Sequence, residues 1–145
     1  MGKSKYIVTS EAGTFKLEEA LLVVQSDLFS IGAEIASSVN KAFAPKRGIS
    51  KSDVAKLEGY ADAMSGAFPK LDSFVLPGGC IESSAADEAR AVARRAERSL
   101  VNASNSTKIG NEHILAYMNR LSSFLFVAAR FINYINGVKE TPPDY

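Results

Sequence analysis

The chain has 145 residues, 46% of them hydrophobic and 23% charged, with 17 Lys and Arg against 16 Asp and Glu. A chain of that size buries roughly 70% of its unfolded surface as one domain, and its ordinary composition excludes a disordered or collagen-like polymer. A net charge of +1 argues against a phosphate-tracking nucleic-acid binder, and Cys80, the only cysteine, closes no intramolecular disulfide and builds no thiolate metal site.

The basic start Met1 to Tyr6 is followed by only Ile7 and Val8, too short an apolar run for a signal-peptide core. Phe124 to Ile135, the most apolar stretch, is interrupted by Arg130 and falls short of the ~18 residues of a membrane span. These features predict a soluble, cytoplasmic protein with no membrane and no nucleic-acid partner.

From Leu17 the apolar positions Leu17, Leu21, Val24, Leu28, Ile31 and Ile35 alternate spacings of four and three, a helix seam ending near Ser38 to Asn40. Ser50, with Asp53 three residues on, caps a second helix that reads through Val54, Leu57, Ala61, Met64 and Phe68 until Pro69. Ser83 or Ser84, with Asp87 and Glu88 in the first turn, opens a third that runs to about Asn102. Its stripe of Ala85, Ala89, Val92, Ala96 and Leu100 predicts a buried, mostly alanine seam. Asn111 caps a fourth through Ile114, Leu121, Leu125, Ala128 and Ile132 to the stop at Asn136-Gly137. No segment of period two competes. The expected fold is all-α: a single domain over residues 1–145, an up-and-down antiparallel bundle of four helices of roughly 20 to 27 residues, with an N-terminal segment 1–16 and a tail 138–145.

The usual catalytic signatures are missing, and His113, the one histidine, falls in the first turn of the fourth helix, where a capping or surface role is expected. No metal-ligating set is legible. On the third helix, Arg90, Arg94 and Glu97 fall within an arc of about 60° beside the alanine stripe. Two guanidiniums sharing a face with a carboxylate read either as a solvated ion-pair face or as a fork of donors for a polyphosphate. On the fourth helix Asn119 lies opposite the apolar stripe, with Leu115, Ser123, Phe126 and Arg130 on the same outward face, which points to a surface covered by a partner, such as a second copy.

Three blocks carry a resemblance: Phe74-Val75-Leu76-Pro77-Gly78-Gly79; Ala89-Arg90 with Arg94-Arg95-Ala96-Glu97-Arg98; and Tyr117-Met118-Asn119-Arg120-Leu121-Ser122 with Leu125 to Arg130. Their order and spacing resemble the PduO-type ATP:cob(I)alamin adenosyltransferases over about Gln25 to Gly137. The resemblance implies a homotrimeric helical bundle with active sites between subunits, where ATP, carried with Mg²⁺, meets cobalamin as substrate. It implies catalytic and phosphate-site roles for Arg90 and Arg94, a carboxylate beside them in Glu97, the nucleotide-site asparagine in Asn119, and in Phe74 the aromatic lying against the lower face of the corrin. The family's N-terminal phosphate loop is matched in part by Tyr6 to Thr14, which assigns Thr9, Gly13 and Thr14 to ATP, although Val8 stands where the pattern has Arg and Ser10 where it has Gly. The family's first helix, whose Asp pairs with the arginine matched by Arg90, has no counterpart before Leu17, and Asp87 stands in place of a family histidine. Either that helix is lost or it belongs to a segment outside these residues, and the alternative to an enzyme is then a noncatalytic trimer that binds ATP or corrinoid. A purely structural helical adaptor is the third reading.

Overall fold

The computed structural model describes residues 3–144. The all-α reading holds, but a small hairpin comes first, where no segment of period two was expected: β1 (Ile7–Ser10) pairs antiparallel with β2 (Gly13–Lys16), Val8 opposite Phe15 and Thr9 opposite Thr14. β-branched Ile7, Val8, Thr9 and Thr14 favour extended backbone, and Gly13, at φ +131°, closes the turn. Val8 is fully buried while Ile7 and Thr9 are exposed, so the two-residue alternation exists, but over four residues it is too short to stand out.

α1 (Leu17–Ser37) follows directly, with Glu18 and Glu19 in its first turn, where the helix dipole favours negative charge. By length and composition alone it is apolar enough to cross a membrane. Of the predicted seam, Leu17, Val24 and Ile31 are buried and Leu21 and Ile35 half-buried, but Leu28 is exposed, and Ala20 and Asp27 are buried beside the first three. A short 3₁₀ turn at Lys41–Phe43 leads to α2 (Lys51–Ser65), where the predicted capping box is present: Ser50 Oγ accepts from Asp53 N at 3.3 Å and Asp53 Oδ2 accepts from Ser50 N at 2.9 Å. At 15 residues α2 is shorter than expected, because it ends before Gly66 and not at Pro69, leaving Phe68 in the turn beyond it.

α3 (Ile81–Ser104) starts at Cys80, ahead of the predicted Ser83 or Ser84. Ser83 is instead fully buried inside the first turn and donates to Cys80 O at 3.0 Å. α4 (His113–Ile135) begins where Asn111 Oδ1 accepts from His113 N at 3.0 Å, as predicted for the capping side chain. It ends in a Schellman arrangement: Gly137, at φ +67°, donates to Tyr134 O and Val138 N donates to Asn133 O.

α4 is the centre, buried on most sides, with α2 and α3 packed along its two flanks. Tyr60 on α2 stacks between Phe15 of the hairpin and Phe124 of α4, with ring centroids 4.8 and 6.4 Å away, which joins the hairpin to the core. α1 and α3 do not close on one another. Between them runs an open apolar trough of about 570 Å³, walled by Leu21 and Leu28 on one side and Ala89 and Val92 on the other and floored by Leu121 and Leu125 of α4. The predicted alanine seam is therefore largely not buried: Ala85, Ala89 and Val92 are exposed, Ala96 and Leu100 half-buried, and the buried alanine of α3 is Ala93. An alanine stripe buries only what a neighbouring helix covers, and here the trough lies between the stripe and α1.

Candidate functional site

The twenty-four-residue α3 presents Arg90, Arg94 and Glu97 at i, i+4 and i+7, so they rise along one side of the helix as the spacing predicted. Arg94 is exposed, while Arg90 and Glu97 are half-buried. Neither of the latter finds the other: Arg90 Nε and Glu97 Oε2 are both buried and both without a hydrogen-bond partner. The expected orienting ion pair between them is thus absent in the chain. What Arg90 meets is the face of Phe126, its guanidinium carbon 5.3 Å from the ring centroid.

Asn119 is exposed on α4, as predicted, and its Oδ1 accepts from Arg120 Nη1 at 3.0 Å. Arg120 in turn donates from Nε to Glu58 Oε1 at 2.7 Å, so a charged strut from α2 holds the segment that carries Asn119. Ser123 on the same face is exposed, and Leu115 and Phe126 are half-buried. Arg130 is the exception and corrects the sequence reading: it is 2% exposed, ion-paired to Asp87 and Glu140, with its guanidinium carbon 5.5 Å from the centroid of the same Phe126 ring. The helical period places it near Asn119, but α3 and the tail fold over that end of α4.

Phe74 is 78% exposed on the loop between α2 and α3. Thr9 and Thr14 pair across the hairpin with their hydroxyls 3.3 Å apart, and with Gly13 they are exposed. The hairpin packs on α1 and α2, whereas the arginines stand on α3 against α4, so the chain does not gather the two sets in a single cleft. His113 starts α4, with Nε2 4.0 Å from Glu112, away from any cluster. Among the described residues no set of three His, Cys, Asp or Glu side chains is grouped to hold a metal.

One further buried polar pair lies under α1. Tyr117 donates its hydroxyl to Asp27 Oδ2 at 2.9 Å. Burial pushes the Asp27 carboxyl above its ordinary range, an effect that the Tyr117 hydrogen bond only partly opposes, and burial together with the Asp27 carboxylate raises the Tyr117 hydroxyl strongly. Sequence reading had not picked out this pair. Its one signal is a lone carboxylate in the apolar seam of α1, three residues after Val24.

Residues 4–132 match the cobalamin adenosyltransferase family over most of the chain. The chain belongs to that family. It is similar to the corrinoid adenosyltransferase of Mycobacterium bovis, with 40% identity over 121 residues covering 81% of this chain and 62% of the relative, and to that of Bacillus subtilis, with 34% identity over 131 residues covering 90% and 66%. In structure it is similar to a variant of a PduO-type ATP:corrinoid adenosyltransferase from Lactobacillus reuteri complexed with cobalamin and ATP, with a TM-score of 0.81, 29% identity and coverage of 89% of this chain and 71% of that one. The chain thus spans less than two thirds of the Mycobacterium bovis relative. The fold expected from the family resemblance holds, and so does the order of helices along the matched blocks.

Proposed function

We propose that this protein transfers the 5′-deoxyadenosyl group of ATP to cob(I)alamin, forming the cobalt–carbon bond and releasing triphosphate. The observation that supports this reading best is the α3 face itself: a buried guanidinium nitrogen on Arg90 and a buried carboxylate oxygen on Glu97, each lacking a partner in its own chain, beside exposed Arg94 and Asn119. Desolvated charge left unpaired is costly, so the face is built to be completed by something else. A polyanion and a neighbouring subunit together supply what is missing.

In this reading Arg94 and Asn119 hold the nucleotide, with Thr9, Gly13 and Thr14 of a second copy lying along the phosphates. Arg90 stands where negative charge builds as triphosphate leaves, and a donor so placed is worth roughly 10²-fold or more in rate. Mg²⁺ travels on the phosphates. Phe74, exposed on its loop, covers one face of the corrin and keeps water and a lower ligand from cobalt. The assembly is a homotrimer in the cytoplasm, burying the Asn119 and Phe126 face between copies. The open apolar trough between α1 and α3 favours a second reading, a trimer that binds ATP or corrinoid without catalysis.

Spectroscopic assay of adenosylcobalamin formation, with cob(I)alamin and MgATP supplied, separates the two. The enzyme reading expects product from the wild type, a loss of roughly 10²-fold or more with Arg90→Ala, and weakened ATP binding by calorimetry for Arg94→Ala. ATP binding without detectable product leaves the noncatalytic trimer, and equal ATP affinity for wild type and Arg94→Ala removes the site.

A further inference from the structure

The loop that carries Phe74 has no regular structure of its own, yet Gly78 at its far end is tied to a buried charge cluster. Gly78 donates its N–H to Asp87 Oδ2 at 2.7 Å and accepts at its carbonyl from Asn133 Nδ2 at 2.9 Å. Cys80 donates its N–H to Asn133 Oδ1 at 3.3 Å. Leu76, two residues from Phe74, donates its N–H to Thr141 O at 2.7 Å, a main-chain bond to the segment beyond α4. Behind these bonds lies Arg130, whose side chain is 1% exposed: Nη2 donates to the same Asp87 Oδ2 at 2.8 Å, and Nε lies 2.9 Å from Glu140 Oε1 in an ion-pair contact without hydrogen-bond geometry, while Glu140 Oε1 accepts from Asn133 Nδ2 at 3.1 Å.

Three elements, α3 through Asp87, α4 through Arg130 and Asn133, and the tail through Glu140 and Thr141, therefore meet on loop residues within six positions of Phe74. An ion pair that merely filled a core would have no reason to end on loop backbone. We propose that Arg130, clasped by Asp87 and Glu140, is a positioning residue for Phe74, so that the tail after α4 and the loop hold the aromatic ring as one unit against the corrinoid. This rests on the corrinoid reading above, and it gives Asp87, which stands where the resembled pattern has histidine, a buried partner in Arg130. The cluster acts on the corrinoid and leaves the nucleotide face to Arg94 and Asn119.

Because the chain has no tryptophan, Phe74→Trp puts its one indole on the loop, where it can be excited apart from the five tyrosines. Fluorescence anisotropy of that variant is compared with the same variant carrying Asp87→Asn or Glu140→Gln, and in the unlabelled background Asp87→Asn, Glu140→Gln and Arg130→Lys are assayed for the KM of each substrate. The expected result is lower anisotropy for both doubles, with the KM for cob(I)alamin raised about tenfold and that for MgATP changed less than about twofold. Unchanged anisotropy in folded doubles, or both KM values rising together, overturns the proposal. If Asp87→Asn does not fold, Glu140→Gln, which leaves the Asp87 pair in place, carries the test. Should the wild type form no product, the transfer reading fails separately and anisotropy alone decides the positioning.

Discussion

Replacing Gly79 by alanine tests the bracing of the Phe74 loop through stability. Gly79 has φ +126°, a conformation that L side chains rarely adopt, and strain of that kind costs about 1–3 kcal/mol. A Cβ there would also lie 2.6 Å from Asn133 Nδ2 and 2.7 Å from Cγ, well inside contact distance. Asn133 is 1% exposed, so its carboxamide has little room to yield without giving up its bonds to Cys80 N and Gly78 O, each worth about 1 kcal/mol net. The total is about 3–5 kcal/mol. Gly78 is the internal control: its φ is +107°, but a Cβ there would have no neighbour nearer than Ser84 Oγ at 3.8 Å, so Gly78→Ala pays the backbone strain alone. The difference, about 2 kcal/mol, is about 4–8 °C in melting temperature for a chain of this size. Thermal unfolding followed by circular dichroism measures both. Equal losses for the two variants would show that Asn133 does not brace the loop, and adding Asn133→Ala to Gly79→Ala should cost less than the sum of the single losses.

Asp27→Asn keeps an acceptor for Tyr117 and removes a buried carboxylate whose pKa is raised above 3.8. The folded wild type binds that proton more tightly than the unfolded chain, so its stability falls as pH rises from 3.8 through the raised value; the variant should therefore gain on the wild type across that window and keep the gain at neutral pH, as melts at acid and neutral pH will show. Asp53 has the opposite sign: burial would raise its carboxyl, but Arg47 and the Ser50 cap outweigh that and hold it below 3.8. Asp53→Asn should cost stability at neutral pH, and the gap should close as pH falls below 3.8. Ser50→Ala should cost about 0.5–2 kcal/mol through the lost cap, measured by urea unfolding. Light scattering at micromolar concentration should give three times the 15.5 kDa chain mass, reduced by Phe126→Asp; a monomeric wild type would refute the trimer.

What was legible in the sequence was local. The registers of α1, α2 and α4, the Ser50 capping box and the Gly137 stop follow from hydrogen bonds and apolar repeats spanning one to two turns, which the sequence carries in full. The placing of Arg90, Arg94 and Glu97 on one face of α3 needed no more than the helical period, and the family resemblance rested on blocks of a few residues each. Tertiary structure alone decided which faces are covered. Arg130 and Asn119 sit eleven residues apart on similar sides of α4, yet one is exposed and the other is sealed under Asp87 and Glu140, forty-three residues before it and ten after it. The alanines of α3 read as a core seam, and they line a trough because α1 stands away from them. The strands of the hairpin owe their existence to pairing with each other and to Tyr60 beneath Phe15. Periodicity states where a side chain stands around its own helix axis; burial and ion pairing depend on what the rest of the chain brings to that side, and that is set by contacts between residues far apart in sequence.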